Sequence, residues 1–264
     1  MLTYPQFDPV AFSIGPLSVH WYGIMYIVAF GGAWLLALYR ARKTPGQWND
    51  EQISDLIFYG ALGAVLGGRI GSALFYNFDK VLSDPTWALR VWEGGMSFHG
   101  GILGVMAALY WYSRKLNKPY FQVLDFIAPL APFGLGAGRL GNFIGGELWG
   151  RHTDVAWGMV FPHVDAFPRH ASQLYQFALE GVVLFTLMWW FSSRPRPMYA
   201  ISGLFGIGYG VQRFFVEFFR EPDEGIGFVA LDWMTMGQIL SLPMIIAGIV
   251  LMVVAYRKPT QINS

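Results

Sequence analysis

PVAFSIGPLSVHWYGIMYIVAFGGAWLLALY, residues 9–39, contains no Asp, Glu, Lys or Arg. About 20 apolar residues suffice to cross a bilayer, so this stretch reads as a membrane span, and the uncharged WMTMGQILSLPMIIAGIVLMVVAY at 233–256 reads the same way. The whole chain agrees: 54% of its residues are hydrophobic and 13% charged, where soluble proteins carry roughly 25% charged residues. The first basic residue is Arg40. No cationic leader precedes the first apolar run, which disfavours a cleaved signal peptide and predicts that the span persists. The formal net charge is +1, and Lys and Arg form no long run that could track phosphates, so nucleic acid is not expected as a partner. There is no cysteine, which excludes disulfides, thiolate metal sites and a cysteine nucleophile of the chain's own.

Seven apolar segments follow one another, near 17–39, 54–76, 97–113, 121–144, 171–192, 199–219 and 234–256, separated by short polar, charged or Pro-containing stretches. Loop charges orient them. Arg40, Arg42 and Lys43 follow the first segment, Arg114, Lys115 and Lys118 the third, Arg194 and Arg196 the fifth, and Arg257 and Lys258 the seventh. Cytoplasmic loops are enriched in Lys and Arg. The expectation is therefore an all-α integral membrane protein, a single polytopic domain over 1–264, with seven transmembrane helices, the N-terminus outside, the C-terminus cytoplasmic and a small periplasmic loop region. Small-xxx-small spacings, Gly63/Gly67/Gly71 and Gly146/Gly150, predict close helix packing.

The remaining basic residues, Arg69, Lys80, Arg90, Arg139, Arg151, Arg169, Arg213 and Arg220, fall on the outer side of this topology. Lys80, Arg90, Arg151 and Arg169 read as surface residues of outer loops. Arg69, Arg139 and Arg213 lie within apolar segments, where an arginine at helix centre costs about 2.5–3.5 kcal/mol on insertion scales and marks a functional path. Tyr209, Arg213 and Glu217 recur at i, i+4 and i+8, which stacks them on one helical face. The pair Arg213/Glu217 taken alone fits a structural ion pair equally well. His20 and Tyr22 open the first segment, His99 the third and His170 the fifth; His20, beside Trp21, also suits an interfacial anchor. These polar groups predict a shared cavity at outer-leaflet depth. GAGRLG at 136–141 fits G-x-G-x-x-G but follows no strand, so its glycines are expected to serve packing or a bend rather than a dinucleotide. The five histidines show no H-x-x-x-H spacing, and neither metal nor cofactor is expected.

GRLGNFIGGELWG at 138–150 resembles the signature of the bacterial prolipoprotein diacylglyceryl transferases. SIGPLSVHWYGIMY at 13–26, GGRIGSALFYN at 67–77, WEGGMSFHGGILG at 92–104, PRHASQLYQFALEG at 168–181 and GYGVQRFFVEFFREPD at 208–223 resemble further blocks of that family in family order. Gly145 stands where the family pattern has a second Asn. The resemblance implies a multi-pass enzyme of the bacterial cytoplasmic membrane with its site facing the periplasm. Its reaction would move the diacylglyceryl group of phosphatidylglycerol to the lipobox cysteine of a prolipoprotein signal peptide, forming a thioether and releasing glycerol 1-phosphate. The residues it implies are Tyr22, His99, Arg139, Asn142, Glu147, Tyr209 and Arg213, with Gly150 as a backbone requirement; Glu217, from its spacing to Arg213, is expected as a structural partner.

An arginine fork suits a phosphate because it donates two parallel hydrogen bonds, so Arg139 and Arg213 are the expected phosphate ligands, with Arg69 a further lipid contact. Asn142 would orient a headgroup hydroxyl or backbone, and Glu147 would fix an arginine or the headgroup. The thiolate is the nucleophile, and a free thiol titrates near ~8.5. His99 is the leading base, with Tyr209 its competitor and a helix-capping role the plain alternative for His99. A transporter or flippase of anionic lipid would also place arginines in a membrane cavity and is the rival reading, although the inner halves of the segments are almost uncharged.

Overall fold

A computed structural model describes residues 2–15, 17–44, 46–90, 94–222 and 227–257; Lys258 and parts of three family-like blocks (Pro16, Trp92, Glu93 and Asp223) lie outside them. Among the described residues a helix occupies each of the seven apolar stretches: α1 (Trp21–Lys43), α2 (Asp50–Phe75), α4 (Phe98–Lys115), α5 (Tyr120–Ile127) with α6 (Ala131–Ile144), α7 (Ser172–Gln176) continued by π-helical turns at Phe177–Val183 and by α8 (Leu184–Ser192), α9 (Ala200–Val216) and α10 (Met236–Arg257). A short α3 (Phe78–Ser83) follows α2. Four runs, α1, α2, Ser172–Ser192 and α10, are long and apolar enough to cross a membrane, and the bent pair α5–α6 would make a fifth. Helices α4 and α9 do not reach that combination of length and apolarity.

The expected boundaries move for identifiable reasons. Residues 17–20 are strand rather than helix: β3 (Leu17–His20) folds back antiparallel on β2 (Val10–Ile14), pairing Ile14 with Leu17 and Val10 with His20. The fourth stretch breaks between α5 and α6 with a 51° bend, where Pro129 and Pro132 remove backbone donors and disfavour helical geometry in the preceding residues. The all-α expectation is incomplete as well. Two further small sheets occur, β1 (Leu2–Thr3), β4 (Met159–Val160) and β5 (Pro168–Arg169) in one, and the hairpin β6 (Phe228–Ala230) and β7 (Met234–Thr235) in the other.

Two compact units divide the chain, Met1–Ala33 with Asp125–Ser264, and Trp34–Leu124. In the second, α2 packs on α4 through the predicted glycine ladder. A Cβ at Gly63 would stand 2.5 Å from the Gly104 carbonyl oxygen, one at Gly67 2.3 Å from that of Gly100, and one at Gly71 2.9 Å from the Gly100 Cα. Removing the side chains lets the two backbones touch, which is how helices associate where lipid removes the hydrophobic drive. Asn49 and Gln52 close a capping box at the start of α2, and the Ser97 hydroxyl caps α4 by accepting from Gly100 N at 3.2 Å.

In the first unit α9 packs on α10 and α6 on the π-helical turns. A Cβ at Gly136 would come within 3.2 Å of the Gly181 Cα. Asp125, 1% exposed, serves as a cap for α9 from outside it, accepting from Tyr199 N at 2.8 Å, Ser202 N at 2.8 Å and Ser202 Oγ at 2.6 Å. Around the β1–β4–β5 sheet, Tyr4, Met159, Phe161 and Ala171 form a small core. Arg169, expected on the surface, is instead buried there. Its guanidinium meets Asp165 Oδ2 at 2.5 Å, Glu221 Oε2 at 3.0 Å and the Gly150 carbonyl at 3.1 Å, a set of acceptors that compensates its desolvation. Hydrogen bonds from Arg169 and His152 hold the Asp165 carboxyl well below the usual carboxylate range.

The α2–α4 contact gives a direct expectation. Gly67→Val should destabilise the protein by about 1–3 kcal/mol through overpacking, read as a lower unfolding midpoint in detergent, whereas Gly60→Ala, on the same helix with nothing within 4 Å, should leave the midpoint unchanged or raise it. Equal midpoints for Gly67→Val and the unmutated protein would contradict the close approach.

Candidate active site

Helix α6 carries Arg139 one turn beyond Gly136, and the π-helical turns carry Glu180 next to Gly181, so the glycine contact between these elements brings a cation and an anion face to face. Arg139 Nε and Nη2 both donate to Glu180 Oε2, at 3.0 and 2.9 Å. The other Glu180 oxygen lies 3.9 Å from Arg213 Nη1 and makes no hydrogen bond. Arg213, on α9, reaches Glu217 Oε1 at 2.5 Å with Nη2 and Gln176 Oε1 at 3.4 Å with Nη1. Glu217 also receives Arg220 Nη1 at 3.2 Å and the Thr235 hydroxyl at 2.6 Å. Arg139, Glu180, Arg213, Glu217 and Arg220 thus form one alternating chain of charges.

Burial gives this chain a direction. The side chains of Glu180 and Glu217 are 0% and 1% exposed, while those of Arg139 and Arg213 keep 14% and 15%. A ligand therefore meets guanidinium edges with their counter-carboxylates sealed behind. Helix α7 and the π-helical turns contribute to this architecture through Gln173 and Gln176 on α7 and Glu180 on the turns, all fully buried. The π-helical geometry at Phe177–Val183 shifts the register within this run, a local irregularity that often accompanies functional sites. Tyr209 is 8% exposed, and its hydroxyl lies beside the Arg139 guanidinium.

Beyond α6 the chain turns sharply, with positive φ at Gly146 (65°) and Leu148 (57°). Helix α7 pins the turn: Gln173 Nε2 donates to the Glu147 carbonyl at 2.6 Å and Ser172 Oγ to that of Leu148 at 2.7 Å. Gly150 then pairs in both directions, its N–H bonding the His170 carbonyl at 2.8 Å while Arg151 N bonds that of Phe219 at 2.9 Å. A Cβ at Gly150 would stand 2.5 Å from both carbonyl oxygens, so any side chain would force the segments apart. Asn142 is 8% exposed; its carbonyl receives Glu147 N at 2.9 Å, and its amide makes no hydrogen bond among the described residues. The Tyr22 ring packs on Gly141, where a Cβ would fall 3.2 Å from it.

The structure thus brings together Tyr22, Arg139, Asn142, Tyr209, Arg213 and Glu217, with Gly150 bracing the loop. GAGRLG lies inside α6, its Gly136 and Gly141 serving contacts, while Gly146 and Gly150 serve the loop rather than a helix pair. Three expectations change. Arg69 is not presented to a ligand: 3% exposed, it donates to the carbonyls of Trp87, Ala88, Arg90, Gly94 and Gly95 and stacks on Trp87, because the loop after α3 wraps its guanidinium. Glu147 fixes no arginine, since it lies on the exposed turn with no ion pair among the described residues; that task belongs to Glu180. His99 does not cap α4, because Ser97 does; it is an exposed residue of the first turn, in the Trp34–Leu124 unit with Arg69.

Glu180, Gln176, Gln173 and Thr235 were missed. The signal was present for the first three: an acid and two amides at 173, 176 and 180, spaced to share a face within an otherwise apolar segment, where a polar group at depth requires a partner.

Known proteins with this pattern are numerous. The prolipoprotein diacylglyceryl transferase family matches residues 9–254. A Pseudomonas paraeruginosa protein named phosphatidylglycerol–prolipoprotein diacylglyceryl transferase is 58% identical over 258 residues, 98% of this chain and 97% of its own length. Pseudomonas aeruginosa PAO1 has one of the same name at 58% identity and the same coverage. A Legionella pneumophila relative, likewise named, is 57% identical over 249 residues, covering 94% of this chain and 97% of its own. With a match of this extent spanning every helix that builds the site, the chain belongs to the prolipoprotein diacylglyceryl transferase family.

Proposed function

We propose that this chain is a membrane transferase that moves the diacylglyceryl group of phosphatidylglycerol to the lipobox cysteine thiol of a prolipoprotein, the first step of lipoprotein maturation. The sulfur forms a thioether to the glyceryl carbon, and glycerol 1-phosphate leaves. The observation that carries this is the pair Arg139 and Arg213, held on α6 and α9 with exposed edges over a buried carboxylate, an arrangement suited to a lipid phosphodiester. The relatives' names supply the donor and acceptor. In this reading Asn142, whose amide is uncommitted, and the exposed Glu147 address the headgroup, Tyr22 flanks it, and Tyr209 and Arg213 steady charge on the departing phosphate. The chain sits in the bacterial inner membrane with seven spans, and the site faces the periplasm, where a secreted prolipoprotein arrives.

The direct test incubates purified protein with phosphatidylglycerol and a lipobox peptide and weighs the product. A diacylglyceryl mass gain on cysteine supports the transferase; lipid movement between leaflets without that gain would favour a flippase. Arg139→Lys keeps the charge but loses the fork, and should transfer more slowly than the unmutated protein. Arg139→Ala should lose about 100-fold or more, the scale of removing a transition-state donor. Full activity in a folded Arg139→Ala protein would move the phosphate site elsewhere.

Orientation can be tested with introduced thiols, since the chain has no cysteine of its own. Asp154→Cys, in the segment between α6 and α7, should react with an impermeant maleimide in intact spheroplasts, and Ser193→Cys, between α8 and α9, only after lysis. The reverse pattern would invert the topology and the leaflet of the site.

For the proton, His99 is the proposed base. His99→Gln should bind phosphatidylglycerol normally, lose most turnover, and regain part of it as pH rises toward the thiol pKa near ~8.5 and thiolate forms unaided. Unchanged turnover, or lost donor binding with normal reaction of bound donor, would pass the role to Tyr209.

A further inference from the structure

Two arginines and one glutamate make an unequal set. Glu180 is fully buried and, among the described residues, hydrogen-bonds only Arg139, through one oxygen. Its other oxygen faces Arg213 at 3.9 Å, without a hydrogen bond but well within Coulombic reach. A residue serving only to anchor one arginine would have no need of the second cation, and one anchoring both would bond both. Glu217 is already shared among Arg213, Arg220 and the Thr235 hydroxyl. Gln176, the nearest alternative partner of Arg213, is neutral and equally buried. Glu180 therefore acts on Arg213 through its charge.

We propose that Glu180 is a positioning residue that sets the charge shown to phosphate: with Glu217 already set against Arg139, Arg213 and Arg220, it lowers the net charge of the cluster from two positive units to one, so that a singly charged phosphodiester is held and a phosphomonoester is released. This rests on the transferase reading above. In that reaction the C–S bond forms as the glyceryl C–O bond breaks. The departing oxygen takes the bonding pair, the thiol proton goes to the base, and glycerol 1-phosphate carries away an additional negative charge, reaching roughly −1.5 to −2 near neutrality, as phosphomonoesters do. Guanidinium edges stabilise that charge as it develops. Without the Glu180 charge, the second positive unit at the same edges would retain the product, and product release is a common limit on turnover. One residual positive unit matches the donor and falls short of the product, in a buried setting where a single charge is weakly screened.

Glu180→Gln keeps the shape and an oxygen acceptor for Arg139 while removing the charge. Protein in nanodiscs would be titrated calorimetrically with glycerol 1-phosphate and with glycerophosphoglycerol, a monoester and a diester of the same head. Relative to the unmutated protein, Glu180→Gln should shift preference toward the monoester by roughly tenfold or more, given one unit charge at this range. With lipid and peptide it should show a burst, its first turnover outrunning its steady-state rate by roughly tenfold or more while inhibition by glycerol 1-phosphate tightens, a split expected of slow release. Gln176→Glu, which adds a negative charge beside Arg213, should shift the preference the opposite way and decides the matter if Glu180→Gln fails to fold. Unchanged preference in a folded variant, or first and later turnovers slowed equally, would overturn the proposal and leave Glu180 a structural anchor. Absence of transfer by the unmutated protein would instead sink the transferase reading, and the binding preferences would still judge the charge-setting role.

Discussion

A carboxylate buried inside an apolar helical assembly must be paired, because the cost of desolvating an isolated charge exceeds what packing returns. Glu180 meets that demand with Arg139, and most of the site's arrangement follows from doing so. The pairing ties α6 to the irregular helix that begins at Ser172. The approach of Arg213 to the same carboxylate adds α9, and Glu217 extends the chain to Arg220 and Thr235. Removing one member would leave its neighbours less compensated in a low dielectric.

Close backbone approach makes that pairing possible. Arg139 could not meet Glu180 with such short bonds if Gly136 and Gly181 carried side chains, since either Cβ would lie about 3 Å from the opposing backbone. Beyond the helices, Gly150 plays the same part between the segments near His170 and Phe219. Arginine edges are thereby held by backbone geometry at both ends of the chain, which is the preorganisation that electrostatic stabilisation of a leaving group needs.

Local patterns were legible in the sequence and long-range partners were not. Arg213 and Glu217 announce their contact because i, i+4 spacing imposes it on any helix, and Gly63/Gly67/Gly71 announce a packing face. The partner of that face, Gly100 and Gly104, could not be read, nor could the pairing of Arg139 with a glutamate 41 residues away, because no spacing encodes a contact between elements. Arg69 shows the limit of reasoning from depth alone: its position in an apolar segment suggested a ligand-facing cation, yet five loop carbonyls close around it. Arg169 shows the same for loops, where a charge expected at the surface lies in a buried nest of acceptors. The family resemblance supplied what spacing could not for Asn142 and Gly150, and offered nothing for Glu180, although that residue lies inside the family-like block at 168–181.

Thr235 links the site to the order in which the chain is made. Its hydroxyl donates to Glu217 while its N–H donates to Gln238 Oε1, closing the start of α10, and Gly237 leaves room for the glutamate, where a Cβ would stand 2.7 Å from the carboxyl carbon. Arg139, Glu180, Arg213 and Glu217 all emerge from the ribosome before this residue. Until α10 is threaded into the bilayer, Glu217 lacks one of its three donors and stays open to water on that side. The nascent protein consequently completes this chain of charges only after α10 has emerged, and a chain stalled before α10 carries all the arginines without the Thr235 donor to Glu217.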